Sequence, residues 1–148
     1  MVIIGIIKFL VVLTIMVLVH EYGHFLAARA CGVRVETFAV GCGKKLWKRK
    51  TRETEFAICA VPLGGYVSMA GDTAANVQGK SDEFYAKPVW KRFAIIFCGP
   101  AMNYLLGIVL FWMVFFSGYP VLTTKVGGLV DGKGAQQAGI QAGDVITA

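Results

Sequence analysis

Apolar residues gather in two long runs, with a mixed and charged stretch between them. The run from Met1 to Val19 is broken by a single charge, Lys8. At ~1.5 Å per residue a helix of that length spans roughly 28 Å, close to the thickness of a bilayer core. The run from Phe93 to Val121 has no charged residue in 29 positions. Both read as membrane-spanning segments, the first as a helix from about Ile3 to about Ala30, stopped by Gly32. Lys8 and Ala28-Arg29-Ala30 loosely imitate the start and cleavage site of a signal peptide. The apolar run is long for one, however, and His20, Glu21 and Arg29 interrupt the approach, so the helix is read as retained.

Between the runs the period changes. Val33 to Val40 alternates and is β-branched, which predicts a strand. Gly41-Cys42-Gly43 then turns the chain into Lys44–Arg52, where six of nine residues are basic. That stretch is read as a turn against lipid headgroups, with Trp47 at the interface. Glu55–Val61 and Gly65–Met69, either side of Pro62-Leu63-Gly64, read as a β-hairpin with a flexible tip. Its apolar content leaves two readings open. The hairpin lines a protein cavity at membrane depth, since its edge amides cannot face lipid, or it packs under a small soluble cap. Gly71–Ser81 reads as a flexible connection and Phe84–Arg92 as an amphipathic entry on the membrane surface. Pro100 predicts a kink or a break in the second run. Asn103 needs a partner in the bilayer, as interhelical glue or at an active site. From Val126 to Ile146 the order is strand, short helix, turn and strand.

Composition narrows the class. With 56% hydrophobic residues and a mean hydropathy of +0.62, an ordinary soluble domain is excluded. Twelve of the 15 Lys and Arg lie between Arg29 and Arg92 against six acids, so the middle segment alone carries the net +6. Positive charge on the inner side then places this segment in the cytoplasm, with the N-terminus and the region after Val121 outside. The basic balance speaks for topology and a lipid bilayer, not for nucleic acid. The four cysteines show no CxxC spacing and read as reduced thiols.

The chemistry sits where the first apolar run ends. His20-Glu21-Tyr22-Gly23-His24 is a His-Glu-x-x-His pattern, and these are the only two histidines in the chain. Residues four apart share a helix face, so both imidazoles can reach one Zn2+ ion. Glu21 lies about 100° round the helix, placed to take a proton without binding the metal. Gly23 keeps the turn thin, so that another segment can approach.

Together these residues resemble the site-2 protease family of intramembrane zinc metalloproteases, in its bacterial PDZ-containing branch, the regulator-of-sigma-E protease type. The resemblance rests on His20-Glu21-Tyr22-Gly23-His24, Phe38-Ala39-Val40-Gly41-Cys42-Gly43, Pro62-Leu63-Gly64-Gly65-Tyr66-Val67 and Gly99-Pro100-Ala101-Met102-Asn103. Val126 to Ile146 resembles the opening of a PDZ domain. The implied fold class is an α-helical membrane protein with a membrane-associated β-hairpin, two transmembrane segments and the start of a PDZ domain. The implied divisions are a first transmembrane helix over 1–31 and a cytoplasmic-side loop over 32–92. A second transmembrane segment over 93–121 and an extracytoplasmic PDZ start over 122–148 complete them.

The resemblance implies cleavage of transmembrane segments of single-pass membrane proteins in the bacterial inner membrane, such as an anti-sigma factor or leftover signal peptides. His20 and His24 would hold Zn2+ and Glu21 would be the catalytic base and then acid. Leu63, Gly64, Gly65, Tyr66, Val67 and Asn103 would bind substrate, the hairpin by pairing its edge with the unwound chain. The family's third ligand is the aspartate of a Leu-Asp-Gly on a later helix, a sequence that this chain lacks. The chain is therefore read as the N-terminal portion of a longer protease, with its third ligand beyond Ala148. Among its own carboxylates Asp72 is the one stand-in, since Glu36, Glu53, Glu55, Asp82 and Glu83 fall in charged surface stretches. Two other readings compete: an inactive relative that binds membrane helices, and a soluble-type zincin on a membrane anchor.

Overall fold

The computed structural model describes residues 1–118 and 124–147. Two long helices dominate it: α1, Val2–Ala30, and α2, Val89–Phe116. Both are long and apolar enough to cross a membrane. Ile3, Ile7, Phe9 and Val12 on α1, and Ile108, Phe111 and Phe115 on α2, are more than half exposed. Apolar surface of that extent is stable only against lipid or protein. At the end of α1 Cys31 N–H donates to the Ala27 carbonyl and Gly32 N–H to the Arg29 carbonyl, and Gly32 takes φ +73 to turn the chain away. The second helix runs without interruption through Pro100, so the expected break is absent. It begins at Val89, inside what read as a surface entry.

Two strands lie between the helices, β1 (Val35–Lys50) and β2 (Glu55–Met69). The basic stretch after Gly43 is therefore strand and not a turn, because Lys45–Lys50 pairs antiparallel with Cys59–Glu55. The predicted hairpin is also rearranged. Glu55–Ile58 and Gly65–Ser68 do not pair with each other; both pair with Thr37–Val40, from opposite sides. On one side partners run in opposite directions (Thr37 with Ser68, Val40 with Gly65), and on the other they rise together (Thr37 with Glu55, Val40 with Ile58). Each strand thus supplies two segments, divided near Gly41 and Gly43 (φ +80 and +86) in β1 and Gly64 (φ +79) in β2. Gly41 also permits a close approach, since a Cβ there would meet the Val61 carbonyl oxygen at 2.4 Å.

The core joins the end of α1 to this sheet. Phe25, 7% exposed, meets Phe38 edge-on at 5.5 Å and Phe56 at 6.0 Å between ring centres. Ala27, Ala28, Val33, Val35 and Ile95 complete the cluster. Burying an aromatic side chain of this kind contributes about 1.5–3 kcal/mol, which fixes the motif-bearing turn against the strands.

Beyond the sheet, Arg34 organises the return to α2. Its Nε donates to Asp82 Oδ2 at 2.7 Å, and its backbone N–H donates to the Asp82 carbonyl at 3.0 Å. The guanidinium hydrogen bond holds the Asp82 carboxyl below the usual aspartate range. Glu83, expected on the surface, is buried at 2% exposure. Its carboxylate accepts the backbone N–H groups of Gln78 and Gly79, at 2.9 and 3.1 Å, and so ties down the polar connection.

The unit from Trp112 onward is described by itself. Val126 N–H donates to the Asp144 carbonyl at 2.7 Å and Ile146 N–H to that of Thr124 at 2.9 Å. This short antiparallel bridge, Lys125 with Val145, replaces the two expected strands. The expected helix forms one turn, α3, Gly134–Gln137. The expected boundary at Val121 lies outside the described residues.

Candidate metal centre

Four residues advance a helix by little more than one turn, so α1 carries His20 and His24 on the same side. Their ring centres are 4.8 Å apart with planes at 81°. Opposite them α2 offers Ile95, Gly99 and Asn103, again four apart and again on one face. His24 Nδ1 lies 2.8 Å from the Ile95 carbonyl oxygen. A carbonyl only accepts, so the proton sits on Nδ1 and the Nε2 lone pair is free. A Cβ on Gly99 would lie 2.4 Å from His24 Nε2 and 2.8 Å from His20 Nε2. Both nitrogens therefore face one gap, kept open by the missing side chain. Gly23 does the same for the backbone: a Cβ there would meet the Cys98 carbonyl oxygen at 2.3 Å. Small residues at a helix crossing let the main chains touch.

The donor set suits zinc as far as it goes. Zinc takes neutral imidazole nitrogens at about 2.0–2.1 Å, usually with the other ring nitrogen on a carbonyl or carboxylate. His24 has that arrangement, and His20 Nε2 faces the same gap. Among the described residues no group of three His, Cys, Asp or Glu is placed to hold a metal. Asp72 does not supply the third ligand. It lines a hollow with His24, Val67 and Met69, but its Oδ2 accepts the Met69 N–H at 3.1 Å.

Glu21 faces the sheet. A Cβ on Gly65 would lie 3.7 Å from Glu21 Cγ and 2.8 Å from the Ala39 carbonyl oxygen, so a glycine lets β2 lie flat beside the carboxylate's stem. Thr14, about two turns before Glu21, donates its hydroxyl to the Pro62 carbonyl at 2.7 Å and also contacts the Leu10 carbonyl at 2.8 Å. Pro62 to Gly65 thus lies along α1 from Thr14 to Glu21. Leu63 and Tyr66 remain exposed at 41% and 37%, and Val67 is half-buried. The segment Gly65–Met69 has its sheet partner on one side only, so among the described residues it is an edge. Asn103 stands apart from that edge, with its amide 3.4 Å from His20 Nδ1.

The sequence reading missed Thr14, the Ile95 carbonyl and the spacing role of Gly99. A signal existed for the last two. Ile95, Gly99 and Asn103 repeat at the interval of His20 and His24, as facing stripes must.

Comparison with known proteins bears on this geometry. The model of peptidase family M50 matches residues 8–141. The chain belongs to peptidase family M50. Protease RseP of Yersinia pestis is 44% identical over 138 residues, covering 91% of this chain and 31% of that one. Regulator of sigma-E protease RseP of Escherichia coli is 41% identical over 144 residues, covering 95% and 32%. A Vibrio cholerae protein that carries the name of a zinc metalloprotease is 41% identical over 145 residues, covering 96% and 32%. The chain spans about a third of the length of these relatives. The resemblance to site-2 proteases, including the branch named for sigma-E regulation, is borne out.

Proposed function

We propose that this chain holds the metal-binding and substrate-pairing part of a zinc-dependent intramembrane endopeptidase. The observation that carries the reading is the convergence of His20 and His24 Nε2 on one gap beside Gly99. Glu21 lies on the adjacent face, against an open strand edge. His20 and His24 would hold the ion, with a third ligand contributed from outside the described residues. Zinc bound there supplies a Lewis acid for the scissile carbonyl and makes a water acidic near neutral pH.

Glu21 acts as the general base, taking the proton of the attacking water, and then as the acid that returns it to the leaving amine. Leu63 to Val67 receives the substrate. An unwound segment adds to the Gly65–Met69 edge by main-chain hydrogen bonds, which need little side-chain specificity. Unwinding is required because a helix shields its own amides. The substrate class is the transmembrane segment of a membrane protein, such as an anti-sigma factor or a residual signal peptide.

The same reading places α1 and α2 across a bacterial inner membrane, with residues 32–92 on the cytoplasmic side. The charge distribution supports this orientation. Residues 122–148 then open an extracytoplasmic PDZ domain, with the bridge Lys125–Val145 and helix α3 as its first elements. The test is cleavage of a transmembrane substrate by full-length protein in proteoliposomes. Glu21→Gln keeps zinc and loses cleavage, while His20→Ala loses both. Cleavage by Glu21→Gln at the unmodified rate would sink the assignment, and zinc-free, inactive unmodified protein would favour a helix-binding relative.

A further inference from the structure

We infer that Asn103 is a positioning residue for the metal centre, its side-chain carbonyl accepting the Nδ1–H of His20. The inference rests on the proposed zinc site and explains how its first histidine is aimed. His24 has its Nδ1 on the Ile95 carbonyl at 2.8 Å. Among the described residues no main-chain carbonyl does the same for His20, whose Nδ1 has the Asn103 amide at 3.4 Å.

Two amide orientations fill the same volume, and they have opposite consequences. With Nδ2 toward His20, the amide donates to Nδ1, and the ring proton is forced onto Nε2. That proton then points into the gap beside Gly99, where Nε2 must be bare to bind a metal. In the same orientation Asn103 Oδ1 is buried without a hydrogen-bond partner among the described residues. An unsatisfied acceptor in this setting is costly. A half-turn of the amide removes the first defect and gives Oδ1 a partner, while Nδ2 takes the place that has none among the described residues. Oδ1 then accepts from His20 Nδ1–H, the lone pair moves to Nε2, and the two histidines adopt the same tautomer. His20 is thus oriented by a side chain and His24 by a backbone carbonyl. Asn103 is one turn beyond Gly99 on α2, so one face of α2 both spaces and aims the pair.

The inference separates two substitutions. Asn103→Asp keeps an acceptor and loses the donor; Asn103→Leu keeps the approximate size and loses both. Zinc affinity is measured by chelator competition on purified full-length protein in detergent, with helical content checked by circular dichroism. Asn103→Leu should bind zinc about 10–100-fold more weakly, the usual effect of removing a partner behind a ligand. Asn103→Asp should bind at least as tightly as the unmodified protein. Leucine without effect, or aspartate as damaging as leucine, would overturn the inference, the latter by showing that the amide acts as a donor. If Asn103→Leu fails to fold, the aspartate variant decides alone. Unmodified protein that binds no zinc would instead overturn the proposed function.

Discussion

Adding one methyl group at Gly99 tests the gap between the histidines without removing any ligand. In Gly99→Ala the new Cβ would lie 2.4 Å from His24 Nε2, a full ångström inside the ordinary contact distance of 3.4 Å. It would also lie 2.8 Å from His20 Nε2. His24 cannot swing clear without giving up its 2.8 Å bond to the Ile95 carbonyl, which is worth about 0.5–1.5 kcal/mol. Overpacking of this kind costs about 1–3 kcal/mol. At about 1.4 kcal/mol per tenfold, zinc binding should weaken between about 5-fold and about 150-fold. Alanine is favoured over glycine inside a helix by about 1 kcal/mol, so α2 itself should form. The assay is zinc competition against a chelator, with helical content followed in parallel. Unchanged zinc affinity in a folded Gly99→Ala protein would show that the metal does not bind between these two rings.

Three further outcomes follow from particular contacts. Adjacent strand residues point their N–H groups to opposite sides, so of Val67→Pro and Ser68→Pro one removes a bond to β1 and the other an open-edge donor. The variant that keeps its fold and zinc should lose cleavage, and normal cleavage by it would detach substrate binding from this edge. Asp82 has its carboxyl pKa lowered by the Arg34 hydrogen bond, so its stabilisation is present above the unfolded value, about 3.9, and lost as pH falls through the folded one. The melting temperatures of unmodified protein and Asp82→Asn should therefore differ at pH 6 and draw together as pH falls below the unfolded value and through the folded one, whereas a pH-independent difference would contradict the pairing. A cysteine introduced at Gly134 should react with an impermeant thiol reagent from outside the cell and Cys42 only from the cytoplasm; the reverse pattern would invert the topology.

Much of this was legible in the chain because it depends on local periodicity. The bounds of α1, the facing of His20 and His24 and the two apolar spans all follow from spacing along one element. What spacing could not supply was partner choice. Glu55–Val61 and Gly65–Met69 flank a short turn and look like each other's partners. Tertiary pairing with Thr37–Val40 wins instead, because a central segment can satisfy both runs at once and leave one edge free. Lys44–Arg52 looked like a turn because its charges hide a strand whose partner, Cys59–Glu55, is apolar and adjacent. Glu83 was misplaced for a related reason: nothing in its neighbours reveals that Gln78 and Gly79 will turn their N–H groups onto it. On α2 the sequence singled out Asn103, but the facing of Ile95 and Gly99 onto the histidines shows only with the two helices paired, since a facing stripe has no meaning without its partner.

The most direct test of the account is X-ray absorption at the zinc edge, on full-length protein purified without a histidine tag. Zinc held by His20 and His24 predicts two imidazole shells per ion with the remaining positions filled by oxygen, and a His24→Ala protein that loses the ion or one shell. A zinc spectrum dominated by sulfur, or one left unchanged by His24→Ala, would contradict the claim that this helix crossing is the metal centre.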